Sequence, residues 1–203
     1  MAKHKDNNTE ESILKAANEV FQTKGLDGSR MQEIADKANI NKAMLHYYYR
    51  SKQLLFDAVF KKAFSLLAPE LNAILNDDSS VEEKVKNFTF NYINFITKHP
   101  YIPNFVINEL NKNPTFIEKL QQNIAFPNID KFKATVQKEI EEGKITPIDP
   151  DQLFINILSL NVFPFIGAPL FKAITKKDNE AYNQLLIERK HSVSNFIINA
   201  IKK

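Results

Sequence analysis

Residues 29–55 read SRMQEIADKANINKAMLHYYYRSKQLL, and the fold class of the chain follows from this stretch. Two short segments with helical spacing are joined by about four residues around Asn39 and Ile40, which is the geometry of a helix-turn-helix. Asn adopts a left-handed backbone more readily than other non-glycine residues, so Asn39 suits the tight turn. The stretch therefore predicts a helix-turn-helix within an all-helical chain.

Residues with N-cap chemistry stand before each helix of this unit. Ser29 and Gln32 have the spacing of a capping box, which predicts a helix start at this point. Asn41 is placed to cap the second helix of the unit, and Ser51 is placed to cap the helix that follows. We expect that following helix to stop ahead of Pro69, because proline lacks the backbone N–H that a helix interior needs.

Another helix is predicted before the helix-turn-helix. Thr9 can cap it, Gly25 marks its end, and apolar residues recur within it at helical spacing, namely Ile13, Ala16, Ala17, Val20 and Phe21. Residues 1–8 are polar, so they are predicted to form a disordered basic arm with no signal peptide.

The run His46-Tyr47-Tyr48-Tyr49 divides between core and surface on a helical wheel. At about 100° per residue, Leu45 and Tyr49 share one side of the helix and are expected to pack on Ile34 and Phe21. Ala43, Met44, His46 and Tyr47 point outward, while Tyr48 lies at the boundary. The outward side is therefore a candidate binding surface.

The charge distribution supports an anionic partner for this surface. No Asp or Glu occurs from Lys37 to Phe56, whereas Lys37, Lys42, Arg50 and Lys52 are all basic. Local positive fields of this kind favour phosphate binding. A solvated surface face would explain the charges alone equally well.

The stretch ILKAANEVFQTKGLDGSRMQEIADKANINKAMLHYYYRSKQLL, residues 13–55, resembles the DNA-binding domain of the TetR family of transcriptional regulators. The matching features are the Ile-Leu-x-Ala-Ala opening, Phe21, Gly25, Ile34-Ala35, Leu45, Tyr48, Ser51-Lys52 and Leu54. The resemblance implies that base edges are read by Gln32, Lys42, Ala43 and His46, and that DNA phosphates are held by Tyr47, Tyr48 and Lys52.

The chain departs from the family pattern at three positions. Asn39 replaces the usual glycine of the turn, His46 stands where a tyrosine is common, and Met44 replaces a small hydroxyl residue. The departures leave the fold unaffected and bear on the contacts made at positions 44 and 46.

The resemblance also implies a larger C-terminal domain that binds an effector and forms a homodimer. The last helix carries an apolar stripe that could meet a second copy, for which we propose Leu185, Arg189, Val193, Phe196 and Ile197. Packing within one subunit would explain the stripe as well. A dimer is preferred because a palindromic operator requires two recognition helices.

Aromatic residues are frequent in this larger domain and suggest a pocket for a small apolar or aromatic effector. The candidates are Phe88, Tyr92, Phe95, Phe105, Phe126, Phe154, Asn161 and Phe163. Asn161 is the most suggestive, because a buried amide needs a partner. Aromatic residues more often form simple core, so this alternative stays open.

Residues 153–171, LFINILSLNVFPFIGAPLF, contain no charge and approach the length of a membrane span. Asn156, Asn161, Pro164 and Pro169 are unsuited to a lipid-facing helix, so a buried helix broken near Pro164 is preferred. No membrane association is predicted.

Several function classes are excluded or disfavoured. The chain has no cysteine, which excludes disulfides, zinc–thiolate sites and cysteine nucleophiles. His4, His46, His99 and His191 are scattered, and no catalytic, phosphate-loop or metal motif accompanies them. We therefore expect no enzyme activity, no catalytic or metal site and no cofactor.

The sequence thus predicts an all-α regulator with a disordered arm at residues 1–8, a helix-turn-helix domain at 9–56 and an effector-binding and dimerisation domain at 57–203. Its expected function is ligand-responsive repression from a palindromic operator on double-stranded DNA, in the cytoplasm. A helical small-molecule carrier or protein-interaction module without DNA binding is the alternative.

Overall fold

The computed structural model describes residues 2–112, 118 and 128–203, with side chains described except at residues 2–7, 64, 66–67, 105, 108–110 and 112. Within these ranges the chain is helical and carries no named strand; the helices are α1 Ala2–Gly28, α2 Met31–Lys37, α3 Lys42–Tyr48, α4 Lys52–Asn76, α5 Val81–Lys98, α6 Ile102–Lys112, α7 Asp130–Glu141, α8 Pro150–Ile166, α9 Ala168–Thr175 and α10 Asn179–Ile201. The all-α prediction is confirmed.

The chain forms two compact units, Met1–Ser65 and Leu66–Lys203. Their division falls inside α4, beyond the boundary predicted between residues 56 and 57. The first turns of α4 belong to the N-terminal unit because Leu55, Phe56 and Val59 are buried in its core.

In the N-terminal unit, a small apolar core holds α1 to α4 together. Ile13, Phe21, Ile34 and Leu45 are fully buried. The Phe21 and Phe56 rings meet edge to face with centroids 4.8 Å apart. This core fixes α2 and α3 as a helix-turn-helix.

The turn between α2 and α3 has the predicted geometry. Asn39 is left-handed, with φ of 57°. The Asn41 side chain accepts a hydrogen bond from the Met44 N–H at 2.7 Å, and Ser51 Oγ accepts from the Leu54 N–H at 3.1 Å. The caps predicted at Asn41 and Ser51 are therefore confirmed.

The predicted capping box at Ser29 is wrong. Arg30 occupies the N-cap position of α2 and makes no side-chain cap. Ser29 is buried, and its hydroxyl donates to the Leu26 carbonyl at 2.7 Å instead. The Leu26 carbonyl near the end of α1, which also accepts from the Ser29 N–H at 3.4 Å, thus competes with the predicted cap for the hydroxyl.

Two helix ends also differ from prediction. α1 begins at Ala2, through the segment where a disordered arm is predicted, because extending a nucleated helix costs little. Gly25, with φ of 67° and ψ of −177°, interrupts the regular helix within the span Ala2–Gly28, at the point where the sequence predicts an end. α4 continues through Pro69 because Leu71 and Leu75 are buried beyond it, and this burial offsets the lost backbone hydrogen bond.

In the C-terminal unit, α5 packs against α10 and α8, and α7 packs against α8. One core cluster runs through these helices and includes Val85, Phe88, Phe132, Leu153, Ile157, Val193 and Ile197. A smaller cluster contains Ile93, Ile96, Phe165, Tyr182 and Leu186. The end of α10 is held by a hydrogen bond of 2.8 Å from the Thr146 N–H to the Ile201 carbonyl.

The uncharged segment forms α8 and α9, which bend by 75° at Gly167. In the part of the chain that the structure describes, no helix taken singly has the length and apolar content to span a membrane; the bent α8–α9 pair meets that test only when both helices are combined. Asn161 and Phe165 of α8 are buried, as the preferred reading of this segment predicts.

Lys84 is a fully buried cation at the junction of α4 and α5. Its ammonium donates to the Ile74 carbonyl at 3.2 Å, to the Asp77 carbonyl at 2.9 Å and to the Asp77 carboxylate. Partial burial acts to raise the pKa of Asp77, but hydrogen bonds from Lys84 and Ser79 outweigh it and lower the pKa. Lys84 thereby satisfies carbonyls that the end of α4 leaves free.

Replacing Lys84 by Met should destabilise the folded chain by about 2–3 kcal/mol, because two buried carbonyls lose their donor. Urea unfolding followed by circular dichroism measures the change. Lys86→Met is the matched control, since the exposed Lys86–Glu82 pair should contribute less than about 1 kcal/mol. Equal losses in both variants would contradict a special role for Lys84.

Candidate nucleic-acid interface

Burial of one side of α3 determines what its other side presents. Leu45 is fully buried and Tyr49 is nearly so. The Tyr49 hydroxyl donates to Glu10 Oε1 at 2.9 Å, and burial together with this carboxylate raises the pKa of Tyr49. The core therefore fixes the rotation of α3 about its own axis.

The opposite side of α3 faces solvent. Ala43 and His46 are exposed, and Tyr47 is 80% exposed. Tyr48 is half-buried, and the Tyr47 ring meets it edge to face with centroids 5.6 Å apart. The predicted division of the aromatic run between core, boundary and surface is confirmed.

Of the candidate base readers, Lys42 and Ala43 begin α3 and His46 lies in its last turn, and all three are exposed. Gln32 lies on α2, is exposed, and donates from its amide to Asp36 Oδ1 at 2.7 Å. Its amide oxygen and one N–H stay free, the pair of groups that an adenine edge requires.

Ion pairs neutralise some of the lysines in this unit and leave other cations unpaired. Lys37 contacts Glu19 at 2.8 Å, and its hydrogen bond lowers the pKa of Glu19. Lys24 contacts Glu33 at 2.7 Å. No carboxylate within the described ranges pairs with Arg30, Lys42 or Arg50, all of which are exposed.

Lys52, which is predicted to hold a DNA phosphate, also has backbone partners. Its ammonium donates to the Asp27 carbonyl at 3.3 Å and to the Ser29 carbonyl at 3.1 Å, so it fastens the connection between α1 and α2. One donor of the ammonium stays available for an anion. The sequence shows the charge of Lys52 but not these backbone partners.

Arg30 is a basic residue that sequence reasoning missed. It lies outside the acid-free window because Glu33 and Asp36 follow it. Glu33, however, pairs with Lys24, and Asp36 accepts from Gln32, which leaves Arg30 exposed and uncompensated at the start of α2.

The predicted effector residues fall into separate surroundings. Phe88 is part of the core, stacks on Tyr92 with centroids 5.4 Å apart, and meets Phe154 at 6.0 Å. Phe95 is partly buried beside the same clusters. Phe163 is 52% exposed. Phe126 and the side chain of Phe105 lie outside the described residues.

Asn161 is fully buried, as the sequence suggested. Its amide donates to Thr89 Oγ1 at 3.2 Å and to the Ile157 carbonyl at 2.8 Å. Its Oδ1 is buried without a donor among the described residues. An acceptor in this position is open to a ligand or a bound water.

The predicted dimer stripe needs correction. Val193 and Ile197 are buried in the core of their own chain, so a second copy cannot cover them. Leu185 and Arg189 are half-buried beside a cleft between α8, α9 and α10. Phe196 is 65% exposed and faces outward. Helical spacing reports an apolar side of a helix but not which molecule covers it.

No group of three or more His, Asp or Glu side chains within the described ranges is arranged to hold a metal ion.

Comparison with known proteins matches residues 13–59 to the family model described as bacterial regulatory proteins of the tetR family. The match spans the helix-turn-helix and its unpaired basic residues. The chain thus contains a DNA-binding domain of the tetR family. It is a DNA-binding transcriptional regulator.

Similar curated proteins match this chain well beyond the N-terminal unit. The transcriptional regulator RutR of Escherichia coli K12 is 26% identical over 195 residues, covering 94% of this chain and 89% of RutR. IcaR of Staphylococcus aureus, a negative regulator of the biofilm operon icaADBC, is 29% identical over 154 residues, covering 74% of this chain and 78% of IcaR.

The crystal structure of HlyIIR, a hemolysin II transcriptional regulator, superposes with a TM-score of 0.65 at 23% identity. The superposition covers 97% of this chain and 98% of HlyIIR. It shows that the C-terminal unit, like the N-terminal one, has a fold found in transcriptional regulators.

The bonding of Lys52 predicts that Lys52→Met lowers the free energy of unfolding by about 1–2 kcal/mol, because two carbonyls lose a charged donor. Lys42→Met, which removes the same charge from an exposed side chain, should change stability by less than about 0.5 kcal/mol. Thermal and urea unfolding test this. An unchanged Lys52→Met variant would show that these two bonds do not stabilise the unit.

Proposed function

We propose that this regulator binds a palindromic DNA operator as a homodimer and represses transcription until a small effector releases it. The observation that carries the proposal is the outward side of α3, where Ala43, His46 and Tyr47 are exposed beside unpaired cations. We assign base reading to Gln32, Lys42, Ala43 and His46.

Phosphate binding in this proposal comes from several positions around the helix-turn-helix. Tyr47 and Tyr48 present phenols, and Lys52 keeps one donor. Arg30 and Arg50 are added because they are exposed and lack a carboxylate partner in the described part of the chain. Phosphate contacts set the register of the protein on DNA, while the α3 contacts carry the sequence preference.

Repression is the favoured direction because IcaR, which is similar over most of the chain, is described as a negative regulator. For the effector we propose a small apolar or aromatic molecule bound by the C-terminal unit, whose clustered rings and free Asn161 acceptor support this class. Such a ligand must favour the DNA-free state by about 1–3 kcal/mol to act as a typical allosteric effector. A regulator acting on DNA in this way works in the cytoplasm.

Dimerisation is proposed through the outer side of α8 and α10. Phe163 and Phe196 are more than half exposed there, which is unusual for such large apolar side chains and typical of an interface. A two-fold dimer would present two copies of α3 to the two halves of an operator.

The DNA proposal predicts that the purified chain enriches a palindromic sequence from fragmented genomic DNA. Tyr47→Ala and Lys42→Ala should each weaken binding to the selected site, by about 1–3 kcal/mol. For Lys42→Ala, loss of a base contact should also relax the sequence preference at the base pair that Lys42 reads.

Lys177→Ala provides the matched control, since Lys177 is an exposed lysine in the connection before α10. It changes the net charge as Lys42→Ala does and should leave operator affinity unchanged. Equal weakening by the two lysine variants would indicate a general charge effect and would contradict readout by α3.

The dimer proposal predicts that Phe196→Asp shifts the chain from dimer to monomer in sedimentation velocity experiments, because a carboxylate would be buried without a partner. Operator affinity should fall in parallel. Phe90→Asp is the control, because Phe90 is an exposed aromatic residue on α5. If Phe196→Asp remained a dimer, the interface would have to lie elsewhere on the chain, and the proposal would be wrong.

A further inference from the structure

A cleft of about 340 Å³ lies between α8, α9 and α10. Leu160, Phe163, Phe171 and Leu185 give it walls that are predominantly apolar, and Arg189 reaches into it from α10. The Phe163 and Phe171 rings meet edge to face at 5.7 Å. A cation in such surroundings requires an explanation, because burying an unpaired charge is costly.

Part of the explanation is Pro164, which lies inside the last turn of α8. Pro164 lacks the N–H that would otherwise bond to the Leu160 carbonyl. Arg189 Nη2 donates to this carbonyl at 2.6 Å. The Tyr182 hydroxyl donates to the Pro164 carbonyl at 2.7 Å. Side chains of α10 thus satisfy two carbonyls near the C-terminal end of α8.

A guanidinium has five N–H donors and a full positive charge, and one neutral carbonyl satisfies only one of these donors and none of the charge. Arg189 Nε is buried and has no partner among the described residues. Burial lowers the pKa of Arg189, which indicates that its charge is poorly compensated. A neutral amide side chain at position 189 would be sufficient if its only task were to donate to one carbonyl.

No carboxylate of the described residues lies within ion-pair distance of Arg189. Glu188, the residue before Arg189, is exposed and accepts from Gln184 at 3.0 Å. A second cation adds to the positive field, because the Lys172 ammonium lies 5.9 Å from the Tyr182 ring centroid. The cleft therefore combines apolar walls with a positive charge on Arg189 that no carboxylate of the described residues pairs with.

We propose that this cleft binds a small, largely apolar organic acid, with the ligand carboxylate paired to Arg189. The guanidinium fork matches the geometry of a carboxylate and pairs with it through two hydrogen bonds. The cleft volume falls within the range of small-molecule sites. A bare phosphate fits less well, because the apolar walls would remove its hydration and supply few donors in return.

The site is separate from the Phe88 ring group and from the outward-facing Phe196, which lies about two helical turns further along α10. Phe163 lines the cleft and also lies on the proposed dimer face. That the bound acid acts as an effector rests on the proposed function. Binding of the acid does not require DNA, so it is measured in the absence of DNA. The binding result can therefore be interpreted even if the operator proposal fails.

The probes are 2-naphthoate and its uncharged counterpart 2-naphthamide, titrated into the full chain by isothermal calorimetry. The carboxylate should bind at least about tenfold more tightly than the amide, since a charge-assisted pair is worth more than a neutral hydrogen bond. Arg189→Met should remove this preference. Leu185→Trp, which keeps the charge and fills the cleft, should weaken both ligands, and thermal unfolding checks that each variant is folded.

Lys190→Met is the matched control, because Lys190 is a neighbouring cation whose ammonium lies over the Phe90 ring at 5.0 Å instead. It should bind 2-naphthoate as the unmodified chain does. Equal affinity for acid and amide, or equal losses in the Lys190 and Arg189 variants, would overturn the proposal. No naphthoate binding, with a dimer that Arg189→Met dissociates, would also overturn it and assign the cleft to a second copy of the chain.

Discussion

The burial of Leu45 and Tyr49 beneath α3 is the constraint on which the DNA-facing surface depends. These two side chains set the rotation of a helix only seven residues long, from Lys42 to Tyr48. Once they are in the core, Ala43, His46 and Tyr47 must face solvent. Tyr49 adds a hydrogen bond to Glu10 of α1, so the helix is fixed at its C-terminal end as well as along its buried side. The exposed side chains of α3 are therefore held in place by a packed helix rather than by a flexible loop.

A second constraint governs the C-terminal unit, where proline and glycine interrupt an otherwise continuous apolar helix. The break frees backbone carbonyls, and each of them must find a donor. Arg189 and Tyr182 supply these donors from α10, which couples the end of α8 to the last helix. The same break produces the cleft between α8, α9 and α10. Pro164 accounts for the position of Arg189, which donates to the freed Leu160 carbonyl, and the 75° bend at Gly167 sets the angle between α8 and α9.

Local signals in the sequence predicted the turn and most caps correctly, because Asn39, Asn41 and Ser51 act on their immediate neighbours. Ser29 was mispredicted because its hydroxyl has two acceptable local partners, and only the path of the chain decides between them. Pro69 shows the limit of propensity, since burial of Leu71 and Leu75 outweighs the cost of a proline. The stripe on α10 predicted an apolar side but could not separate core residues such as Val193 from the exposed Phe196. The α8–α9–α10 cleft was not predicted, because residues far apart in sequence create it.

The exposed side of α3 also has a practical consequence for engineering. Ala43, His46 and Tyr47 contribute nothing to the core, whereas Leu45 and Tyr49 interleave with them and hold the helix in place. A combinatorial library that randomises the three outer positions while keeping the two inner ones would sample new sequence preferences on an unchanged scaffold. Different residues of one short segment thus determine DNA sequence preference and folding.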